Sequence, residues 1–163
     1  MWRIGALLAG AIVGSFLTTV IERLPRKEQF LRGGSRCAQC GVRLAPRDLV
    51  PLVSFLTSRG RCRHCGTPIP WWHLAVEVAT PVLFLLSVTL SPHSSLVDQL
   101  STWVLLVLLL ALTVIDLHTL LLPDALVVAT AVVGVLRSLA LQHPPFPDAV
   151  LGGSVGLLLL GLL

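Results

Sequence analysis

Five strongly apolar stretches of this chain carry no Asp, Glu, Lys or Arg: Ile4 to Ile21, Val78 to Val97, Gln99 to Ile115, Ala125 to Leu136, and Ala149 to Leu163. A helix that crosses a hydrocarbon core needs about 20 apolar residues, and fewer where flanking side chains snorkel. The first three runs therefore predict membrane spans. The fourth predicts one if the helix continues through a snorkelling Arg137 to Leu141, and the fifth predicts a helix that stops inside the bilayer, because "SVGLLLLGLL" has no polar flank. A mean hydropathy of +0.88, with 55% hydrophobic and 12% charged residues, excludes an ordinary soluble domain. The expected fold is all-α: a polytopic membrane protein of about five transmembrane helices. A cleaved signal peptide is the rival reading of the N-terminus, but no small-x-small site follows the apolar run.

Ten of the twelve basic residues fall between Glu22 and His73: Arg23, Arg26, Lys27, Arg32, Arg36, Arg43, Arg47, Arg59, Arg61 and Arg63. Cytoplasmic loops are enriched in Lys and Arg, so this loop is expected in the cytoplasm, with the N-terminus outside. Counting crossings then places "DLHTLLLPD" on the same inner side as the basic loop. Anionic lipid headgroups account for the cations, and no nucleic-acid partner is needed.

That loop also holds all four cysteines, in two near-copies of one pattern, "SRCAQCG" and "GRCRHCG". Cys37 and Cys40, then Cys62 and Cys65, each form a CxxC turn followed by glycine (Gly41, Gly66). Two such turns supply four thiolates at tetrahedral spacing, which suits structural zinc. In a reducing compartment disulfides are the weaker alternative. Outside the cell the same thiols would instead suggest a redox relay. A loop this short buries too little surface to hold itself together, so a bound metal would supply the missing stability.

Ionisable groups at span ends are costly and mark candidate sites. Asp116 closes the third run, where the helix dipole disfavours a negative charge. Asp124 follows Pro123 and reads as an N-cap or first-turn carboxylate. Glu77 reads equally as an interfacial or a functional residue, Arg137 as snorkelling, and His64 and His118 as satisfied polar residues. "GAIVG" (Gly10 to Gly14) and "GGSVG" (Gly152 to Gly156) offer small-residue faces for helix packing.

In order and spacing, "GSFLTTVIERLP", "SRCAQCG", "DLVPLVSFL", "RGRCRHCG", "PIPWWHLAVE" and "DLHTLLLPD" resemble the bacterial type IV prepilin peptidases, from about Gly14 to Asp124 and weakly to the end. The resemblance implies a membrane aspartic endopeptidase. It would cleave the basic leader of prepilins or type II secretion pseudopilins at the cytoplasmic face, then methylate the new N-terminus with S-adenosylmethionine. It implies Asp116 as one catalytic carboxylate and a second within a Gly-x-Gly-Asp motif. That motif is absent from the 163 residues, and neither Asp124 nor Asp148 has the glycines, so a C-terminally truncated chain is expected. Thr18 stands where the family usually has Asn. The expected organisation is a first span (1–21), a zinc-knuckle loop (22–73) and a membrane-embedded peptidase-like unit (74–163). The alternatives are a non-catalytic zinc-loop scaffold for secretion or pilus components, an inactive fragment, and a thiol oxidase that relays electrons to a quinone.

Overall fold

The computed structural model describes residues 2–26, 36–37, 39–45, 48, 50–141 and 145–161, the last six of these as backbone. Lys27, Arg32 and Arg47 of the basic loop, and the side of Gly156, lie outside the described residues. Six helices follow in order: α1 (Trp2–Arg23), α2 (Val53–Thr57), α3 (Trp71–Leu90), α4 (Leu96–Thr119), α5 (Asp124–Leu141) and α6 (Phe146–Gly161). Among the described residues the only extended pairing is two isolated bridges in the cysteine loop.

Four helices, α1, α3, α4 and α5, are long and apolar enough to cross a membrane. This is a multi-pass helical membrane protein. The exposed Leu, Ile and Val side chains that cover it would be intolerable in water and are ordinary against lipid. The described part of α6 spans 16 residues, so among the described residues the expected fifth span is not one of the crossing-length helices.

The second apolar run was misplaced as a span. Val78 to Val97 straddles a turn: α3 starts seven residues earlier at Trp71 and ends at Leu90, and α4 starts at Leu96. Counting charges cannot see a break made by neutral polar residues. Here Pro92 interrupts the chain, and the Ser95 side chain accepts a bond from the Asp98 backbone N–H to cap α4.

The core gathers where α1, α3 and α4 meet. Leu17, Val20 and Ile21 of α1 pack with Val76 of α3 and with Ala111 and Ile115 of α4. The "GAIVG" face makes this approach possible, because Gly10 sits against Pro81 and Gly14 against Thr80. Gly152, by contrast, faces open space. At the far end Ser87 Oγ accepts bonds from Gln99 Nε2 (2.6 Å) and Trp103 Nε1 (2.9 Å), and Phe84 stacks on Trp103.

Arg137 does not simply snorkel. Its guanidinium donates to the Asp98 carboxylate at 2.7 Å, joining the end of α5 to the start of α4. Both side chains are about four-fifths withdrawn from solvent, at 20% and 21% exposure. In an apolar setting a charge this covered is tolerated because its counter-charge is present.

Candidate functional site

The two cysteine motifs fold as two copies of one knuckle. Cys37 N–H donates to Val42 O (3.0 Å) and Gly41 N–H to Cys37 O (2.9 Å). In the second copy Cys62 N–H donates to Thr67 O (2.8 Å) and Gly66 N–H to Cys62 O (2.9 Å). Each turn closes through a glycine at positive φ, Gly41 at 68° and Gly66 at 71°, which a side chain would disfavour. The turns bring all four sulfurs within 4.8 Å of one another, with Cys37 Sγ 3.8 Å from Cys65 Sγ. The cysteines are free rather than disulfide-bonded. Four sulfurs around a tetrahedral metal with bonds of about 2.3 Å stand about 3.8 Å apart, so this donor set fits a metal ion and is compatible with zinc.

The sulfurs differ in acidity. Thr67 pulls the Cys65 thiol down to about 6, through its hydroxyl, 3.3 Å away, and then its backbone N–H. The backbone N–H groups of Cys40 and Gln39 lower Cys37. At Cys40 a lowering backbone bond from Val42 is outweighed by desolvation and the neighbouring sulfurs Cys37, Cys65 and Cys62, which push it up to about 11. Crowded thiolates disfavour each other's ionisation, and a divalent cation among them removes that conflict.

Two ties hold the loop in shape and to the bundle. Asp48 pairs with Arg63 at 3.1 Å and accepts from Ala45 N–H. Glu77 of α3 accepts from Leu52 N–H at 2.9 Å, where the backbone turns through a positive φ of 62° just before α2. No residue pattern names this partner of Glu77, because the donor is a backbone group 25 residues away.

Between the loop and the adjoining ends of α1 and α3 lies a cavity of about 400 Å³. Thr18, Glu22 and Arg26 of α1 line it, as do Asp48 and Phe55 of the loop and His73 and Glu77 of α3. Thr18 itself is buried and donates to Ser15 O at 2.7 Å.

Asp116 lies in the last turn of α4, at the same end of the bundle as this loop. Its neighbour Ile115 is fully buried in the core, and the ring of His118 stands 5.5 Å from that of Trp72, in the first turn of α3 beside the loop. Helix α4 closes one turn later with Leu120 in the left-handed region, its N–H bonded to Asp116 O. Asp124 is the first residue of α5, on this same end and exposed, in the first-turn position its sequence context suggests. Asp148 lies in the first turn of α6. Asp116 does not line the cavity, so the two features are neighbours rather than one pocket. His64 is exposed on the second knuckle. Sequence reasoning missed the Asp98–Arg137 and Asp48–Arg63 pairs; the signal available for the first was that charges at the edges of apolar runs need partners.

Comparison with known proteins accounts for both halves of this arrangement. Residues 8–90, which hold most of α1, the cysteine loop and α3, match the bacterial peptidase A24 N-terminal domain. Residues 103–163 match the type IV leader peptidase family. The chain is 38% identical over 97% of its length to a prepilin leader peptidase/N-methyltransferase of Klebsiella pneumoniae, of which it covers 71%. It is 35% identical to one of Myxococcus xanthus (97% of this chain, 47% of that protein) and 38% identical to one of Pectobacterium carotovorum (99% and 65%). The chain thus spans between about half and seven-tenths of the length of these relatives. No solved structure matches it. These relatives favour a peptidase over a scaffold. With two family domains end to end and relatives of one name along nearly its whole length, the chain belongs to the type IV leader peptidase family.

Proposed function

We propose that this protein is a membrane aspartic endopeptidase that removes the leader of type IV prepilins or type II secretion pseudopilins at the cytoplasmic face of the inner membrane. We further propose that it methylates the new N-terminus with S-adenosylmethionine. The observation that carries the reading is the placement of Asp116 at the end of α4 that meets the cysteine loop, in a chain whose relatives are named for this pair of activities. The concentration of basic residues in the loop supports a cytoplasmic position for that end.

Aspartic proteolysis divides two roles between two carboxylates. One takes a proton from the attacking water, the other gives a proton to the scissile carbonyl oxygen, and their proximity separates the two apparent pKa values. Asp116 supplies one of them. No Gly-x-Gly-Asp occurs in the sequence, and the resemblance to the family supports Asp116 as the first member of the pair. Cys37, Cys40, Cys62 and Cys65 hold zinc, whose role is to fold the loop rather than to react.

The test expresses the protein as its gene encodes it, in membranes with a prepilin, and follows leader removal by the shift in substrate size. Cleavage should disappear in Asp116→Asn, which keeps the side-chain shape and removes the titratable oxygen. An Asp116→Asn protein that still cleaves overturns the assignment.

A further inference from the structure

We infer that α2 anchors the cysteine loop to the membrane surface. Its outward side chains Val53 and Leu56 lie where headgroups meet acyl chains, in the leaflet on the loop's side, and the adjoining Arg59 and Arg61 bind anionic phospholipid. This contact holds whether or not the chain cleaves or methylates a pilin.

Depth comes first. The Leu52 N–H, just before α2, donates to the Glu77 carboxylate at 2.9 Å. Glu77 lies six residues beyond Trp71, the first residue of the crossing-length helix α3, which at helical rise is about 9 Å along the axis. The cavity behind α2 reaches Ser15 of α1, eight residues before that helix ends at Arg23 and so about 12 Å inside its end. A segment tied and packed at these levels stands beside the ends of two crossing helices, at the height of the headgroup layer, rather than above them in water.

The two sides of α2 differ accordingly. Ser54 and Phe55 line the cavity, and the Phe55 ring lies against Gly60. Val53 and Leu56, three residues apart and so on one helix face, are 53% and 70% exposed, and Trp71 at the start of α3 is 75% exposed. Five residues are too few to hold a helix in water by themselves. Acyl chains against the Val53 and Leu56 face, with a tryptophan at the same interface, give α2 a packed surface on its outer side as well.

Charge names the lipid. Arg59 and Arg61 follow α2 directly, are exposed, and have no carboxylate partner among the described residues. The only carboxylate between residues 36 and 70, Asp48, is already paired with Arg63. An apolar face flanked by unneutralised cations is complementary to an anionic leaflet. A basic protein segment would be repelled by it, and a neutral apolar one would leave the cations unmatched.

The test reconstitutes the full chain into vesicles of phosphatidylcholine, with or without phosphatidylglycerol. The photoreactive residue p-benzoylphenylalanine in place of Leu56 should form a phospholipid adduct on illumination, seen by mass spectrometry, as it should in place of the exposed Leu109 of α4. No adduct at Leu56, or one only to a second copy of the chain or to an added prepilin, overturns the anchor. Hydrogen exchange gives a second readout. Leu56→Asp should speed exchange of the amides of residues 53–57 by roughly tenfold or more, the equivalent of returning one leucine from lipid to water, with metal content unchanged to show that the knuckles are folded. Unaltered exchange in that folded variant overturns the anchor; should the variant lose its metal, the photoadduct, which needs no new charge, decides. Phosphatidylglycerol should slow exchange across α2 in wild type, and the double variant Arg59→Gln, Arg61→Gln should erase that slowing. Equal exchange of wild type in the two kinds of vesicle overturns the assignment of these arginines to anionic lipid.

Discussion

Gly10 of α1 lies so close to Pro81 of α3 that a Cβ built on the glycine would stand 2.4 Å from the proline Cα. Two backbones can approach this far only where one side chain is missing. Pro81 lacks an N–H and so breaks one helical bond of α3, and the close contact with α1 covers that defect. Gly10→Val should therefore force the helices apart and cost about 2 kcal/mol by overpacking. Gly14→Ala should cost less, because a Cβ there meets Thr80 at 3.1 Å. Gly134→Ala, in open space, should be neutral or stabilising by about 0.5 kcal/mol. Thermal unfolding in micelles checks the order; equal loss at Gly10 and Gly134 would show that this contact does not hold the bundle.

This contact was legible in the sequence as a small-residue face, but its partner was not. "GAIVG" and "GGSVG" look alike on paper, yet one meets a proline and Gly152 of the other meets nothing. The cysteine knuckles were fully legible, since spacing and the trailing glycines fix a local turn without help from the rest of the chain. The turn at Ser91 to Ser95 and the partner of Glu77 were not, because the first carries no charge and the second is a backbone donor far away in sequence. Asp116 could be named from its position, whereas the cavity could not, since it exists only once α1, α3 and the loop are assembled.

The Asp98–Arg137 pair joins α4 to α5 across a span's depth from the cysteine loop. Removing one partner leaves the other charge without its neutraliser, so Asp98→Asn and Arg137→Gln should each destabilise more than the double variant would suggest by addition. Polar pairs inside membrane proteins couple by about 0.6 kcal/mol on average and about 1.7 at most. The good 2.7 Å geometry here places the expected coupling near the upper figure. A double-mutant cycle on reversible unfolding measures it, and additive single effects would show the pair to be inert.

Metal removal should act on the loop before the bundle. The described loop is held by local turn bonds, the Asp48–Arg63 pair and the Glu77 tie, and none of its described hydrophobic side chains belongs to the buried core, whereas α1, α3 and α4 are held by that core. One zinc per chain is expected by elemental mass spectrometry, and Cys62→Ser should lose it. Chelation should open residues 36–69 to protease while the helices stay resistant. A loop that keeps its protease resistance without metal would assign its stability to packing.

The unequal acidities of the cysteines give the last prediction. The knuckle turns close on contacts local to residues 37–42 and 62–67, so they outlast the opening of the loop to protease, and in metal-free protein at pH 7 Cys65, drawn down to about 6 by Thr67, should exist mainly as thiolate, and Cys40, pushed up to about 11, as thiol. Both are exposed, so access does not separate them and the thiolate fraction does. Iodoacetamide should label Cys65 first and Cys40 last, as read by peptide mass spectrometry. The Cys65 rate should climb through pH 6 and level off above it, while the Cys40 rate keeps rising toward pH 11. The sign for stability follows from the same shift. The folded Cys65 value lies below its ordinary 9.0, so the contribution of its thiolate to the metal-free loop is complete above about 9 and is lost as the pH falls through 6. Thr67→Val, which removes the hydroxyl while leaving the backbone N–H, should move the Cys65 inflection upward. An unmoved inflection would assign the low value to the backbone alone.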